Sequence, residues 1–240
     1  MKSISLVLAI ASLAAPAFAA RNVEEFKTTA GTLKITTVQH AGFVMEAGGQ
    51  TVYVDPAQGS FDGFPPADLI LITDIHGDHL APALIAKVRK PGSGTQIIAP
   101  AAVAKTVTDA IVLNNGESKT IGGWKIEAVP MYNIKRGPSA GQLYHDKGRG
   151  NGYVVTWGGL RVYIAGDTEG IPEMRALKNI DVAFVPMNLP YTMPPDEAAD
   201  AVKAFHPKVV YPYDYQGSDL KVFESALAGT GIEVRIRNWY

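Results

Sequence analysis

The stretch LILITDIHGDHLAPALI, Leu69 to Ile85, passes within six residues from an apolar run to four ionisable side chains: Asp74, His76, Asp78 and His79. Two imidazoles and two carboxylates crowded together repel one another or lose hydration unless something neutralises them, and a divalent cation does so. Leu69 to Ile72 is apolar on both faces, as a strand in a covered sheet would be. Gly77 lets the backbone turn sharply enough for Asp74, His76 and His79 to converge, with Asp78 supplying another oxygen. The competing reading of the same residues is an exposed polar turn in which Asp78 caps the following helix.

The chain that must position these groups has 240 residues, enough for one sizeable core and no more. Its start is set apart: Lys2, an apolar run from Ile4 to Ala15, then Pro16 and an Ala17-x-Ala19 pattern. That is the layout of a secretory signal peptide over residues 1–19, leaving a single domain over 20–240 that is periplasmic or secreted, with no stable membrane insertion after cleavage. The alternative is an uncleaved anchor. Loss of Lys2 from the 22 basic residues leaves 21 against 23 acidic ones, too even a balance to coat nucleic acid. There is no cysteine, so a metal must be held by His, Asp or Glu.

Strand character recurs over Leu33–Thr37, Phe43–Ala47, Thr51–Val54, Ile97–Ile98, Lys125–Val129, Tyr153–Trp157, Arg161–Ile164, Val182–Val185, Val209–Tyr211 and Val234–Ile236, with Gly48-Gly49 as a hairpin turn. Helices are predicted over Pro82–Lys90, Ala101–Ala110, Ile171–Leu177, Pro195–Phe205 and Leu220–Leu227. Interleaved in this way, without an internal repeat, they suggest two sheets covered by helices in one α/β domain. One connection is long, Asn133 to Asn151, and long loops of that kind are functional or disordered. It carries His145 among Lys135, Arg136, Lys147 and Arg149, which would steer an anionic substrate or simply solvate the loop.

TDIHGDH resembles the H-x-H-x-D-H signature of the metallo-β-lactamase fold superfamily, with Asp74 in the first His position. HAGFVMEAGGQTVYVDP is similar to the family's opening hairpins, GGLRVYIAGDT to its strand ending in Gly-Asp at Asp167, and VVYPYDY to its late Pro-x-His segment, with Asp214 where the last His is expected. The likeness spans Leu33 to Tyr215 and is greatest to the branch that includes ascorbate-phosphate lactonase-type proteins.

The resemblance implies a four-layer αββα sandwich and two metal sites, one of Asp74, His76, His145 and Asp167, the other of Asp78, His79, Asp167 and Asp214. It also implies a hydrolase acting on an ester, lactone, amide or phosphoester small molecule. Asp167 would bridge two zinc ions, Asp78 would orient an activated water, and Tyr132 or Tyr213 would stabilise a developing oxyanion. Two of the family's ligand histidines have become Asp, and harder oxygen donors make manganese or iron alternatives to zinc. His40 and Asp55 recur in the family beside the site and would orient ligands by hydrogen bonding. Tyr191 would line the pocket within an ordered rim loop, Met187 to Pro195, and His206 would lie on the surface. The rival readings are a binding protein whose site has lost its chemistry, and a di-iron redox enzyme.

Overall fold

Leu69 and Leu71 face one side of their strand, Ile70 and Ile72 the other, and both sides are buried. The same two-sided burial recurs at Val182 and Phe184 against Ala183 and Val185. Strands so apolar on both faces belong in the middle of layers, and the computed structural model, which describes residues 21–92 and 94–240, puts them there. The signal segment expected over residues 1–19 lies outside the described residues.

The first sheet contains β1 (Val23–Thr28), β2 (Gly31–Gln39), β3 (Gly42–Ala47), β4 (Gln50–Val54), β5 (Leu69–Leu71), β6 (Gln96–Ala99) and β7 (Ile111–Val112), in that spatial order. The second contains β8 (Ser118–Ile121), β9 (Trp124–Met131), β10 (Gly150–Trp157), β11 (Leu160–Ile164), β12 (Val182–Pro186), β13 (Val209–Tyr213) and β14 (Glu233–Val234), again in sequential order. Each sheet begins as an antiparallel meander and ends in parallel strands. The two halves therefore share a topology that no repeat in the sequence announces.

Between the sheets lies a core that includes Phe43, Phe184, Tyr211 and Trp239, with Phe43 and Tyr211 stacked on Phe184 at centroid distances of 4.4 and 5.0 Å. Helices α1 (Pro82–Val88) and α2 (Ala101–Ala104) cover the outer face of the first sheet, through Ile85, Val88 and Val103. Helices α3 (Pro172–Arg175), α4 (Pro195–Phe205) and α5 (Leu220–Leu227) cover the second, through Met174, Val202, Phe205, Phe223 and Leu227. The result is an αββα sandwich. The helix predicted over Ala101–Ala110 keeps only its first turn, and turns then lead through a buried Val107 to β7. The predicted strands miss β1, β7 and β8: β1 and β8 have exposed, mostly polar faces that give little hydrophobic signal, and β7 is only two residues long.

The candidate metal centre

Seven loops leave the carboxyl ends of β2, β4, β5, β9, β11, β12 and β13, and among them they supply His40, Asp55, Asp74 to His79, Asn133 to Arg149, Asp167 to Glu169, Asn188 and Asp214. The strand ends of an open α/β sheet leave just such a crevice for ligands. Three of the strands end abruptly: His40, Asp55 and Asp214 directly follow β2, β4 and β13 with φ of 56°, 40° and 42°. Left-handed backbone at residues other than glycine costs about 1 kcal/mol or more, and here it turns three polar side chains back into the crevice.

Asp74, His76, His145 and Asp167 present ligand atoms that all lie within 4.8 Å of one another. Asp167 has one oxygen for each of two histidines: Oδ2 is 3.0 Å from His145 Nε2, and Oδ1 is 3.2 Å from His79 Nε2. His145 Nε2 is 3.3 Å from His76 Nδ1. A second group, His40, His79 and Asp214, is equally tight, with His40 Nε2 3.0 Å from Asp214 Oδ1 and 3.1 Å from Asp78 Oδ2. The carboxylate of Asp167 thus joins two clusters.

The partners of the far ring nitrogens fix which nitrogen faces inward. His145 Nδ1 donates to Asn133 Oδ1 at 2.6 Å, while the Asn133 amide donates to the Tyr191 carbonyl at 2.8 Å. His79 Nδ1 lies 2.8 Å from Asp55 Oδ2, and Asp55 also accepts from the Thr73 amide and hydroxyl. Each Nε2 is therefore left for the crevice. His40 Nδ1 is 2.8 Å from the Tyr240 hydroxyl.

The electrostatics follow from the crowding. Burial opposes a charge on His79, but Asp167 and Asp55 on either side hold its pKa well above the ordinary value. Burial likewise opposes ionisation of Asp167, yet His79 and His145 hold it well below the carboxylate range. His40 is buried too, but Asp214 and Asp78 hold it up to about 9. Asp214 rises to about 6 because burial, reinforced by the like charge of Asp167, outweighs the pull of His40. His76, half-buried with weaker partners, is lowered by its burial. Without a cation, the protons held on His79 and His40 offset the charge of the carboxylates around them.

These residues fit a divalent metal. His79 Nε2 and Asp167 Oδ1 are buried and face each other at 3.2 Å, and among the described residues neither makes a well-aligned hydrogen bond. Buried polar atoms rarely go unsatisfied, and each left so costs about 1–3 kcal/mol. Ligand atoms around a tetrahedral zinc at ~2.0–2.1 Å lie roughly 3.3 Å apart, close to the spacings of the cradle. Imidazole and carboxylate are the donors such an ion takes in a chain without cysteine.

The structure brings together Asp74, His76, His79, His145, Asp167 and Asp214, and holds Asp78 at the mouth with its side chain 35% exposed and Oδ1 3.9 Å from His79 Nε2. His145 is wholly buried despite its glycine-rich loop. His206 is apart from the cluster, its Nε2 donating to the Thr230 carbonyl.

Three expectations need correction. Tyr213 lies in the core between the sheets, its oxygen accepting from the Gly166 amide, so it lines no mouth. Tyr132 donates its hydroxyl to Glu173 under the Lys147 ammonium, so it too is committed elsewhere. The four cations of the long loop are paired instead of steering: Lys135 and Arg136 with Glu197, Lys147 with Glu173, Arg149 with Asp74.

Four contributors escaped the sequence reading. Asn133 orients His145. Glu169 accepts from the amides of Ile134, Lys135 and Arg136 and so ties down the start of the loop. Asn188 donates to Asp214, and Thr73 anchors Asp55. Only Glu169 left a trace, as an acid two residues beyond Asp167 in a segment otherwise poor in charge.

The fold and the His/Asp cradle at its strand ends define a class, the metallo-β-lactamase-type sandwiches. A family model described as a beta-lactamase superfamily domain matches residues 34–214, and the chain belongs to that superfamily. It is 33% identical over 202 residues to a UPF0173 metal-dependent hydrolase of Thermococcus kodakarensis, covering 76% of this chain and 84% of that one. It superposes with a TM-score of 0.85 on a candidate metal-dependent hydrolase from Parabacteroides distasonis, 45% identical over 91% of this chain and 99% of that one. Igni18, a metallo hydrolase from Ignicoccus hospitalis, shares the fold at a TM-score of 0.70 with 24% identity, covering 85% and 94% of the two chains.

Proposed function

We propose that the protein is a metal-dependent hydrolase that cleaves an ester, lactone, amide or phosphoester bond in a small molecule. The observation that carries this reading is the buried pair His79 Nε2 and Asp167 Oδ1, which face each other across 3.2 Å and make no well-aligned hydrogen bond among the described residues. His76, His145 and Asp167 would hold one cation, and His79, Asp167, Asp214 and Asp78 a second. Bound there, divalent cations supply Lewis acidity toward a substrate oxygen and acidify water.

The chain's own groups divide the remaining work. Asn133 and Asp55 keep His145 and His79 in the tautomers that direct Nε2 inward. Asp78 is held below the ordinary carboxylate range because His40 outweighs its burial, so it is ionised at neutral pH. Its Oδ2 rests on His40 while Oδ1 is left to accept a hydrogen bond from an attacking water at the mouth. Ile75, Ile134, Leu189 and Tyr191 are exposed on the surrounding loops and give the mouth an apolar rim. The names of the relatives in Thermococcus and Parabacteroides agree with this reading.

The test is metal uptake by the metal-free chain, with zinc, manganese and iron(II), in weakly buffered solution. Cations that replace the protons now shared by His79 and His40 must release them, so uptake should acidify the medium. The loaded protein should then hydrolyse at least one member of a panel of esters, lactones, amides and phosphoesters, and Asp167→Asn should not. A chain that binds no metal overturns the proposal.

A further inference from the structure

Asp74 has the place of a ligand histidine, and its carboxylate lies beside the other ligands of the first cluster. It is also fully buried and already engaged. Arg149 grips it with two donors, Nε to Oδ1 at 3.1 Å and Nη2 to Oδ2 at 2.7 Å. The guanidinium is pinned in turn by the Tyr144 carbonyl, which accepts from Nη1 at 2.8 Å. A bidentate pair of this kind is among the strongest hydrogen-bonded arrangements a carboxylate makes. It also cancels the negative charge that would attract a cation. Of the three remaining members of the cluster, His145 Nε2 is 3.0 Å from Asp167 Oδ2 and 3.3 Å from His76 Nδ1, which also lies 3.2 Å from the Asp74 oxygen that Arg149 Nη2 holds.

Resting on the metal-centre reading above, we propose that Asp74 is not a metal ligand in this chain. Locked to Arg149, it substitutes a neutral ion pair for a ligand, and the first metal position is completed by His76, His145 and Asp167 alone. Asp74 and Arg149 act there as positioning residues that keep the loop of His145 closed over the strand end of His76. The first position keeps one more coordination place for an exogenous group and holds its cation more weakly than the second, where the carboxylates of Asp78 and Asp214 add charge.

The experiment is zinc titration of the metal-free full chain against a chromophoric chelator. It uses the wild type, Arg149→Gln, and the double variant Asp74→Asn with Arg149→Gln. The wild type should take up zinc in two unequal steps. In the double variant the pair is replaced by a neutral one, and the weaker step should stay within threefold of wild type. In Arg149→Gln the freed carboxylate should tighten that step tenfold or more. A tenfold or greater weakening in the double variant overturns the proposal, because it means that a ligand was removed. A wild type that takes up no zinc overturns the metal-centre reading itself, and this one with it. A crystal structure of the unaltered chain with zinc decides the same point without any substitution. The Arg149 to Asp74 pair should persist with the carboxylate outside bonding distance, whereas Asp74 bonded to zinc with Arg149 displaced refutes the assignment.

Discussion

Glu169 never touches the cradle, yet replacing it should be felt there. Its carboxylate, 2% exposed, accepts from the amides of Ile134, Lys135 and Arg136 at 3.1, 3.2 and 2.9 Å, and from the Asn133 side chain at 3.3 Å. Hydrogen bonds to a charged group contribute about 1.5–3 kcal/mol each. In Glu169→Gln one oxygen remains to accept, while the new amide N–H groups face backbone donors. The loss should be about 2–4 kcal/mol, well short of the sum because the loop relaxes. At roughly 2–4 °C per kcal/mol for a chain of this size, Tm should fall by roughly 5–15 °C. Loop opening also releases Asn133, whose oxygen fixes the His145 tautomer. Loss of such an orienting partner typically costs 10–100-fold in metal affinity, and the lower end is expected because the Tyr191 carbonyl still holds the Asn133 amide. Calorimetry of the metal-free chain, limited proteolysis and zinc titration read the three effects. A Tm within about 2 °C of wild type, with no new cleavage between residues 133 and 149, would refute the reasoning.

Two further outcomes follow from the same geometry. Asp167→Asn should cost metal affinity at both positions, tenfold or more at each, whereas His206→Ala should leave metal content unchanged; the reverse ranking in metal analysis would undo the ligand assignment. Glu197 is held down to about 2 by Arg136, with Lys135 adding to the pull against a modest burial cost. A carboxylate so depressed contributes stability that is present above its unfolded pKa near 4.5 and is lost as pH falls toward 2. Glu197→Gln should therefore flatten the acid limb of a Tm-versus-pH curve by a small amount, since the Glu197 side chain is about a third exposed and the pair is screened.

How much of this was legible in the sequence depended on where each signal resides. The strands of the sandwich announced themselves because two-sided burial leaves apolar runs such as Leu69–Ile72 and Val182–Val185. The clustered Asp74, His76, Asp78 and His79 were legible because four ionisable groups after a buried strand have few structural excuses. His145, Asp167 and Asp214 are distant in sequence and came within reach only through resemblance. The supports were not legible at all. Asn133, Glu169 and Asn188 are ordinary loop residues until the chain closes around them, and hydrogen bonds across 26 or 36 positions have no local pattern. The same holds for Arg149: a basic residue in a glycine-rich loop reads as solvation, and only the fold shows that its partner lies 75 positions upstream. Tyr132 and Tyr213 failed for the opposite reason, since strand ends near a pocket suggested a lining role, while the hydroxyl of Tyr132 is committed to Glu173 and Tyr213 is buried between the sheets.

Asp55 allows a sharper test, because its effect on the metal centre depends on a single proton. Its Oδ1 accepts from the Thr73 amide at 2.8 Å, and its Oδ2 meets the Thr73 hydroxyl at 2.6 Å and His79 Nδ1 at 2.8 Å. As a carboxylate it only accepts, so it holds a proton on His79 Nδ1, and Nε2 is the nitrogen that gives up its proton to a cation in the crevice. In Asp55→Asn the backbone N–H of Thr73, which has no freedom to turn, claims the amide oxygen. The NH2 group then points at His79 Nδ1, which must become an acceptor, and the ring keeps its proton on Nε2, where it bonds to Asp167. The metal-free protein loses little, because every group still has a partner and asparagine tolerates the left-handed backbone at this position. The metal loses a ligand. Zinc affinity at the second position should fall 10–100-fold, while Tm of the metal-free chain shifts by only a few degrees, roughly 2–4 °C for each kcal/mol lost. Nitrogen NMR of the metal-free protein should show a proton on His79 Nδ1 in the wild type and none there in the variant. Unchanged zinc affinity, or a proton still on Nδ1, would show that Asp55 does not set the tautomer of His79.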